Sequence, residues 1–310
     1  MTNWVRNRPG TRARVSAPRA DPVTLSGLAR AKINLFLHVG PVADDGYHPL
    51  ASLVAFADVG DGVSVTRADA LSLTVTGPFG GALAGEGDNL ILRGLRALGE
   101  AAGIGAPPVA VTLDKQLPIA AGLGGGSADA GTAIRLAAQL LGLDLDEAAL
   151  EAVAGVVGAD GPMCLRARPA WATGRGDDLR DEPCLPPLHA VLLNPGMASP
   201  TGAVYRAYDD APAGGADCPD GPADWSPAAV IAWLAGQRND LEAPALRVTP
   251  GIGEALSAMQ AAPGCRLTRM SGSGATVFGL FDDAAAAKAA AAVLERPGWW
   301  VRNCVLGGAA

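Results

Sequence analysis

Between Leu117 and Ala130 four glycines, Gly122, Gly124, Gly125 and Gly126, crowd together and Ser127 follows them. Glycine reaches positive φ and lets another group approach the backbone closely. The residues after Ser127 read as a helix running to Leu141. A helix start carries unpaired N–H groups and the positive end of a dipole, so a glycine loop feeding one is a cradle for phosphate. Two better-known glycine motifs do not fit. A Walker A loop needs Lys after its last Gly, where this chain has Ser127; a dinucleotide fingerprint opens the first strand–helix–strand unit, whereas this loop follows several strand-like segments. The expected chemistry is therefore the handling of a nucleotide or another phosphorylated compound.

Transfer of a phosphoryl group to an alcohol needs a carboxylate for the hydroxyl and cations for the developing charge. Lys32 and Asn34 stand two apart on a strand-like segment and so point the same way. Asp160 lies in the turn-like stretch 158–162, after a predicted helix end. The negative end of that helix would raise its proton affinity and a nearby Lys would lower it. Read alone, the stretch favours a turn Asp bonding its own backbone. Ser271–Thr276 is a second glycine loop between two strands, either a tight hairpin or a source of hydroxyl and N–H groups for a ligand. Tyr47 and His48 end the first turn, where they can stack on and hydrogen-bond a base. Tyr205 is either core or a second stacking surface.

These residues need elements to hold them. From Ala29 to Val39 apolar and polar residues alternate as in a strand, and further strands are expected at 51–57, 62–67 and 71–76. Asn89 caps a helix over 90–102, and 109–113 is a strand leading to the glycine loop. Asp144 with Glu147 reads as a capping box for a helix to Val157. A break rich in Pro and charge spans 180–187. Beyond it come a strand (190–193), a short helix after Thr201 and a Gly/Pro/Asp loop (211–224). Helices at 227–235, 252–261 and 283–294 and strands at 266–270, 275–280 and 300–305 complete the order. This succession predicts an α+β protein with helices on one sheet face.

The 310 residues are enough for two domains sharing a cleft, and 49% of them are apolar. A net charge of −7 argues against a nucleic-acid-binding body. Five cysteines without a CxxC pair point to neither a zinc site nor a disulfide framework, and fit a reducing cytoplasm. No apolar run is long enough to span a membrane. Residues 1–24 hold Arg6, Arg8, Arg12, Arg14 and Arg19. They read as a disordered, non-essential extension upstream of the true start, in preference to a transit-type segment or a nucleic-acid arm.

The three motifs, 31–37, 118–130 and 271–276, occur in the order found in the GHMP kinases, and the chain resembles that superfamily from about Leu28 to Val305. Four further segments, 45–48, 158–160, 195–201 and 239–242, are similar to the branch acting on a cytidine diphosphate compound. The resemblance implies a mixed-sheet, ATP-binding N-terminal domain over 25–185 and a ferredoxin-like, substrate-binding C-terminal domain over 186–310, with the active site between them. It implies ATP- and Mg2+-dependent phosphorylation of the 2-hydroxyl of a methylerythritol carrying a cytidine diphosphate group, in non-mevalonate isoprenoid synthesis. Asp160 matches the base and Lys32 its partner. Pro118, Gly122, Leu123, Gly124, Gly125, Gly126 and Ser127 match the ATP loop, with Gly272, Ser273 and Gly274 near the phosphates. Asn34 and Thr201 match substrate contacts, and Tyr47, His48 and Tyr205 match a cytosine pocket. A mevalonate- or homoserine-type kinase and a non-catalytic nucleotide-binding regulator are the rival readings. The expected partner is the small molecule, with no nucleic acid or membrane, the chain being a monomer or weak homodimer. Departures from the family pattern are residues 161–164 (Gly-Pro-Met-Cys), residues 119–121 and Tyr205, where Phe is common.

Overall fold

The computed structural model describes residues 23–83, 89–212 and 214–307, so the Arg-rich segment up to residue 22 lies outside the described residues. The first strand, β1 (Thr24–Asn34), buries Ala31 and Ile33 in one core and Ala29 in another, across an irregularity between Arg30 and Lys32. It stops five residues short of the expected Val39. Leu37 leaves the sheet to bond the backbone of Arg238 and Asp240, flanking Asn239, and only a two-residue strand, β2 (His38–Val39), resumes.

The next strand corrects the sequence reading more strongly. β3 (Leu50–Arg67) is one strand of 18 residues where two were expected. Residues 58–61, which the expected strands leave as a gap, instead form an irregularity in the sheet. Arg30 pairs with Gly60 whereas Lys32 pairs with Phe56. A Cβ on Gly60 would lie 2.1 Å from the Ala29 carbonyl oxygen, so only glycine permits this approach.

β4 (Ser72–Thr76) runs parallel to β5 (Val109–Asp114). Between them α1 (Leu90–Ala101) starts at Asn89, whose side chain accepts from the Ile91 amide, and buries Ile91, Leu95 and Leu98. α2 (Gly125–Leu141) begins inside the glycine loop, two residues before Ser127, and ends at Gly142 with φ 67°. The cap of α3 (Glu147–Gly155) is Asp146, which accepts from the Ala149 amide, and not Asp144. Three short elements escaped the sequence reading: α4 (Gly161–Arg166), β6 (Ala170–Thr173) and β7 (Asp178–Asp181), the last running into the start of the expected break.

The chain continues through β8 (Leu188–Asn194), α5 (Thr201–Asp209), α6 (Pro227–Ala235), α7 (Glu242–Val248), α8 (Gly251–Gln260), β9 (Leu267–Met270), β10 (Val277–Phe281), α9 (Ala284–Leu294) and β11 (Trp300–Leu306). Of these only α7 was unexpected. The antiparallel order β11-β8-β10-β9, with α8 and α9 packed on it, is the ferredoxin-like arrangement. Leu306 of β11 pairs with Ala57 of β3, so one sheet path links the two halves. Two further facts fix the site's frame. The small face of α2, Ala130, Ala133 and Ala137, is fully buried, and a Cβ on Gly131 would stand 2.9 Å from the backbone of Leu165 in α4. Among the described residues no helix is long and apolar enough to cross a membrane.

Candidate active site

The glycine loop adopts the conformations its composition requires. Gly122 and Gly124 have φ of 73° and 61°. Because α2 starts at Gly125, the amides of Gly125, Gly126 and Ser127 belong to its first turn, where N–H groups have no intrahelical partner. The Lys32 amide donates to the Leu123 carbonyl at 2.8 Å, which ties the loop to β1. A Cβ on Gly124 would sit 3.2–3.4 Å from Lys32 and Cys164 atoms. Behind the loop, the Ser271 hydroxyl donates to the Gly122 carbonyl at 3.0 Å and accepts from the Asn34 amide at 3.2 Å.

Lys32 and Asp160, 128 positions apart, meet: Lys32 Nζ lies 3.0 Å from Asp160 Oδ2. Asp160 is placed by two jammed contacts. A Cβ on Gly161 would come 1.9 Å from the Ala154 carbonyl oxygen, and α4 crosses α2 at Gly131. Asp160 thus heads α4, and the expectation that it follows a helix end is half the picture, since α3 closes at Gly155 and α4 opens at Gly161. Burial works against the Lys32 ammonium, but the Asp160 carboxylate and the bond to it, with Cys164 alongside, leave its proton affinity above the ordinary lysine value. Lys32 is therefore a cation at any physiological pH. Burial likewise pushes the Cys164 thiol well up, so it is no nucleophile.

A cavity of about 780 Å³ opens over this pair. Its wall includes Lys32, Asn34, Asp160, Thr201 and Tyr205, the loop from Pro118 to Ser127, Tyr47, His48, Gly272 and Ser273. Of the expected site residues only Gly274 does not line it. The open side of Gly274 faces Met270 and Ile252 in the core, and its backbone abuts Gly122 from behind. The reason is the turn: the Gly274 amide bonds the Ser271 carbonyl, which directs Gly272 and Ser273 outward and Gly274 inward.

At the far end of the cavity the His48 ring lies 5.0 Å from that of Tyr205 and 5.6 Å from that of Tyr208. His48 Nδ1 is 2.9 Å from the Gly40 carbonyl and Nε2 is 3.2 Å from Asp209 Oδ1. Burial pushes the Tyr205 phenol up to about 12, so it stays neutral. Tyr47 is exposed at the mouth, with the Arg175 guanidinium 4.2 Å over its ring, and Arg175 pairs with Asp45. Thr201 Oγ1 is 2.9 Å from Ser273 Oγ, joining the start of α5 to the third motif. Asn34 is oriented by donating to the Ser52 hydroxyl at 2.8 Å.

The sequence marks residues 239–242 without giving them a role, and it does not anticipate the other neighbours. Asn239 donates to the carbonyls of Met270 and Gly272, both at 2.8 Å, and Glu242 accepts from the Met270 amide, so the 239–242 segment braces the third motif. Arg175 and Arg206 add guanidinium groups to the cavity wall. Arg206 has a signal in the sequence, standing directly after Tyr205; Arg175 has none, since no motif or periodic pattern surrounds it. Beneath the loop, Lys115 bridges Asp61 and Asp129. Among the described residues no group of three or more His, Cys, Asp and Glu is arranged to hold a metal.

The family model for the GHMP kinases N terminal domain matches residues 89–167, and that for GHMP kinases C terminal matches 228–298. A protein of Caulobacter sp. (strain K31) named 4-diphosphocytidyl-2-C-methyl-D-erythritol kinase is 52% identical over 289 residues, 92% of this chain and 99% of its own length. A crystal structure of 4-(cytidine 5'-diphospho)-2C-methyl-D-erythritol kinase superposes with a TM-score of 0.72 at 36% identity, over 92% of this chain and all of that one. Homoserine kinase from Cytophaga hutchinsonii superposes with a TM-score of 0.64 at 19% identity, over 93% and 96% of the two chains, and shares the fold. With half its residues in common with such a relative over nearly their whole length, this chain belongs to the 4-diphosphocytidyl-2-C-methyl-D-erythritol kinase family of GHMP kinases, ATP-dependent small-molecule kinases.

Proposed function

We propose that this chain transfers the γ-phosphoryl group of ATP to the 2-hydroxyl of 4-diphosphocytidyl-2-C-methyl-D-erythritol, in the cytoplasm, giving the 2-phosphate and ADP. The observation that carries this reading is the Lys32–Asp160 pair, 3.0 Å apart beside the loop that opens α2. Asp160 accepts the proton of the attacking hydroxyl. Lys32 orients that carboxylate and offsets charge gathering on the transferred group. The amides from Gly122 to Ser127 hold the triphosphate, with Gly272 and Ser273 facing it. Catalysis here is positioning plus electrostatics, as phosphoryl transfer requires.

The substrate's other end accounts for the rest of the cavity. Tyr47 and Tyr205 offer ring faces to the cytosine and His48 a polar edge. Arg175 and Arg206 are cations for its diphosphate, and Asn34 and Thr201 hold the methylerythritol. Magnesium, which neutralises phosphate charge when bound, enters with the nucleotide in this reading, and no protein residue is assigned to it. The division near residue 186 into nucleotide-binding and substrate-binding parts belongs to the same proposal, as does a monomeric or weakly dimeric state.

The test is a panel of alcohols with ATP and magnesium, followed by ADP release and 31P NMR. A new phosphomonoester on the cytidyl alcohol, with none on mevalonate or homoserine, is expected. Turnover of either of the latter instead would overturn the substrate assignment.

A further inference from the structure

Directly below the head of α2 lie three buried charges, two of them carboxylates. Lys115 Nζ, at the end of β5, stands 2.6 Å from Asp61 Oδ2 of β3 and 2.7 Å from Asp129 Oδ2 of α2. All three residues are at most 3% exposed. The cluster touches the glycine loop: a Cβ on Gly125 would be 3.1 Å from Lys115 Nζ and 3.7 Å from Asp61 Oδ2. Lys115 and Asp129 also form part of the cavity wall.

The two carboxylates are not equally served. Asp61 accepts from Lys115 and, through Oδ1, from the amides of Gln116 at 2.6 Å and Leu117 at 2.8 Å. Asp129 has Lys115 alone, and its Oδ1 is buried with no partner among the described residues. One ammonium cannot balance two buried carboxylates, and the uncompensated charge falls on the one with fewer donors. The other groups facing Asp129 do not relieve it. Cys164 of α4 is a neutral thiol, and Lys32 beyond it is committed to Asp160.

We propose that Asp129 carries a proton in the ATP-bound enzyme, taken up as ATP binds, so that the cluster under the loop is electrically neutral toward the triphosphate. The proton comes from solvent and bonds to Oδ1, the oxygen without a donor. Burial above all, with Asp61 adding to it and Lys115 opposing it, already raises the Asp129 carboxyl to about 8. An anion seated on the loop raises it further. Asp129 acts through the local field and is a positioning residue, not a catalytic one. This inference rests on the reading that the loop holds the triphosphate.

The test is calorimetric titration of ATP with magnesium into the full chain at pH 8.5, in two buffers of different ionisation enthalpy. The wild type should take up a substantial fraction of one proton, and Asp129→Asn, which keeps the shape without the charge, should take up none. Wild-type affinity for ATP should weaken above pH 8 by up to about tenfold per pH unit, as linkage to one proton requires. Asp129→Asn should be flat from pH 7 to 9.5 and match the wild type within about twofold at pH 7 by the same linkage. No proton uptake by the wild type, or equal uptake by Asp129→Asn, overturns the inference. If Asp129→Asn fails to fold, the wild-type carboxyl 13C resonances decide. An aspartate titrating near pH 8 that moves upward with ATP supports the proposal, and its absence overturns it. Gly126→Asp separates the two readings. ATP bound to it as tightly as to the wild type would remove the triphosphate from the loop, whereas loop-dependent binding without proton uptake removes only the role of Asp129.

Discussion

Replacing Gly122 by Ala tests the junction between the two glycine loops, and its cost follows from local geometry. Gly122 has φ 73°, a conformation that charges an L-residue roughly 1–2 kcal/mol. The new methyl would also meet backbone atoms that cannot swing aside: the Ser271 carbonyl oxygen at 2.3 Å, the Gly274 oxygen at 2.9 Å and the Gly274 nitrogen at 3.0 Å. The loops must separate by about an ångström to restore ordinary contact distances. Separation weakens two bonds that join them, Ser271 Oγ to the Gly122 carbonyl and the Thr276 amide to the Ala121 carbonyl. At about 0.5–1.5 kcal/mol each, these bring the total to about 2–5 kcal/mol. Gly142→Ala is the matched control, because Gly142 has φ 67° but nothing within 4 Å of its notional Cβ. It should lose only the conformational part, about 1–2 kcal/mol. Urea unfolding followed by tryptophan fluorescence measures both. In activity, Gly122→Ala should lose about 100-fold in kcat/KM for ATP, the usual effect of a 1 Å misplacement, while Gly142→Ala should keep it. Equal stability losses in the two variants, with activity retained in both, would refute the reasoning.

Tyr205→Ala should raise the KM of the cytidyl substrate by about 5- to 150-fold, since a stacked base is worth about 1–3 kcal/mol, and leave the KM of ATP alone; an unchanged substrate KM removes Tyr205 from the pocket. Arg269→Met should destabilise the protein by about 3 kcal/mol or more in the same unfolding assay. Arg269 donates to the carbonyls of Leu35, Leu234 and Gln237, and its loss leaves three buried acceptors unmet.

Much of the site is legible in the sequence because its chemistry depends on local patterns. Two-residue spacing puts Lys32 and Asn34 on one face, and clustered glycines mark the loop. Asn89, Gly142 and Ser226-Pro227 punctuate helices through bonds or torsions set within a few residues. What was illegible depends on contacts distant in sequence. Residues 58–61 stay outside the expected strands because nothing local shows that Gly60 makes room for the Ala29 carbonyl, or that the Asp61 carboxylate is buried against Lys115 and the 116–117 amides. α4 and α7 have six and seven residues and each contains a proline near its start, so they lack a readable period. Arg175 joins the cavity only because the β6–β7 turn folds against the 42–48 loop. Gly274 shares a motif with Gly272 yet faces the core, because its amide turns back to bond the Ser271 carbonyl, a fold of the loop that the motif does not spell out.

In the proposed reaction Asp160, paired with Lys32 beside the glycine loop, takes the proton of the attacked hydroxyl. The kcat of Asp160→Asn, with ATP and the cytidyl alcohol both saturating, tests it most directly. A fall of at least about 100-fold, with both KM values within about twofold of the wild type, is the predicted result. Turnover near that of the wild type would contradict it.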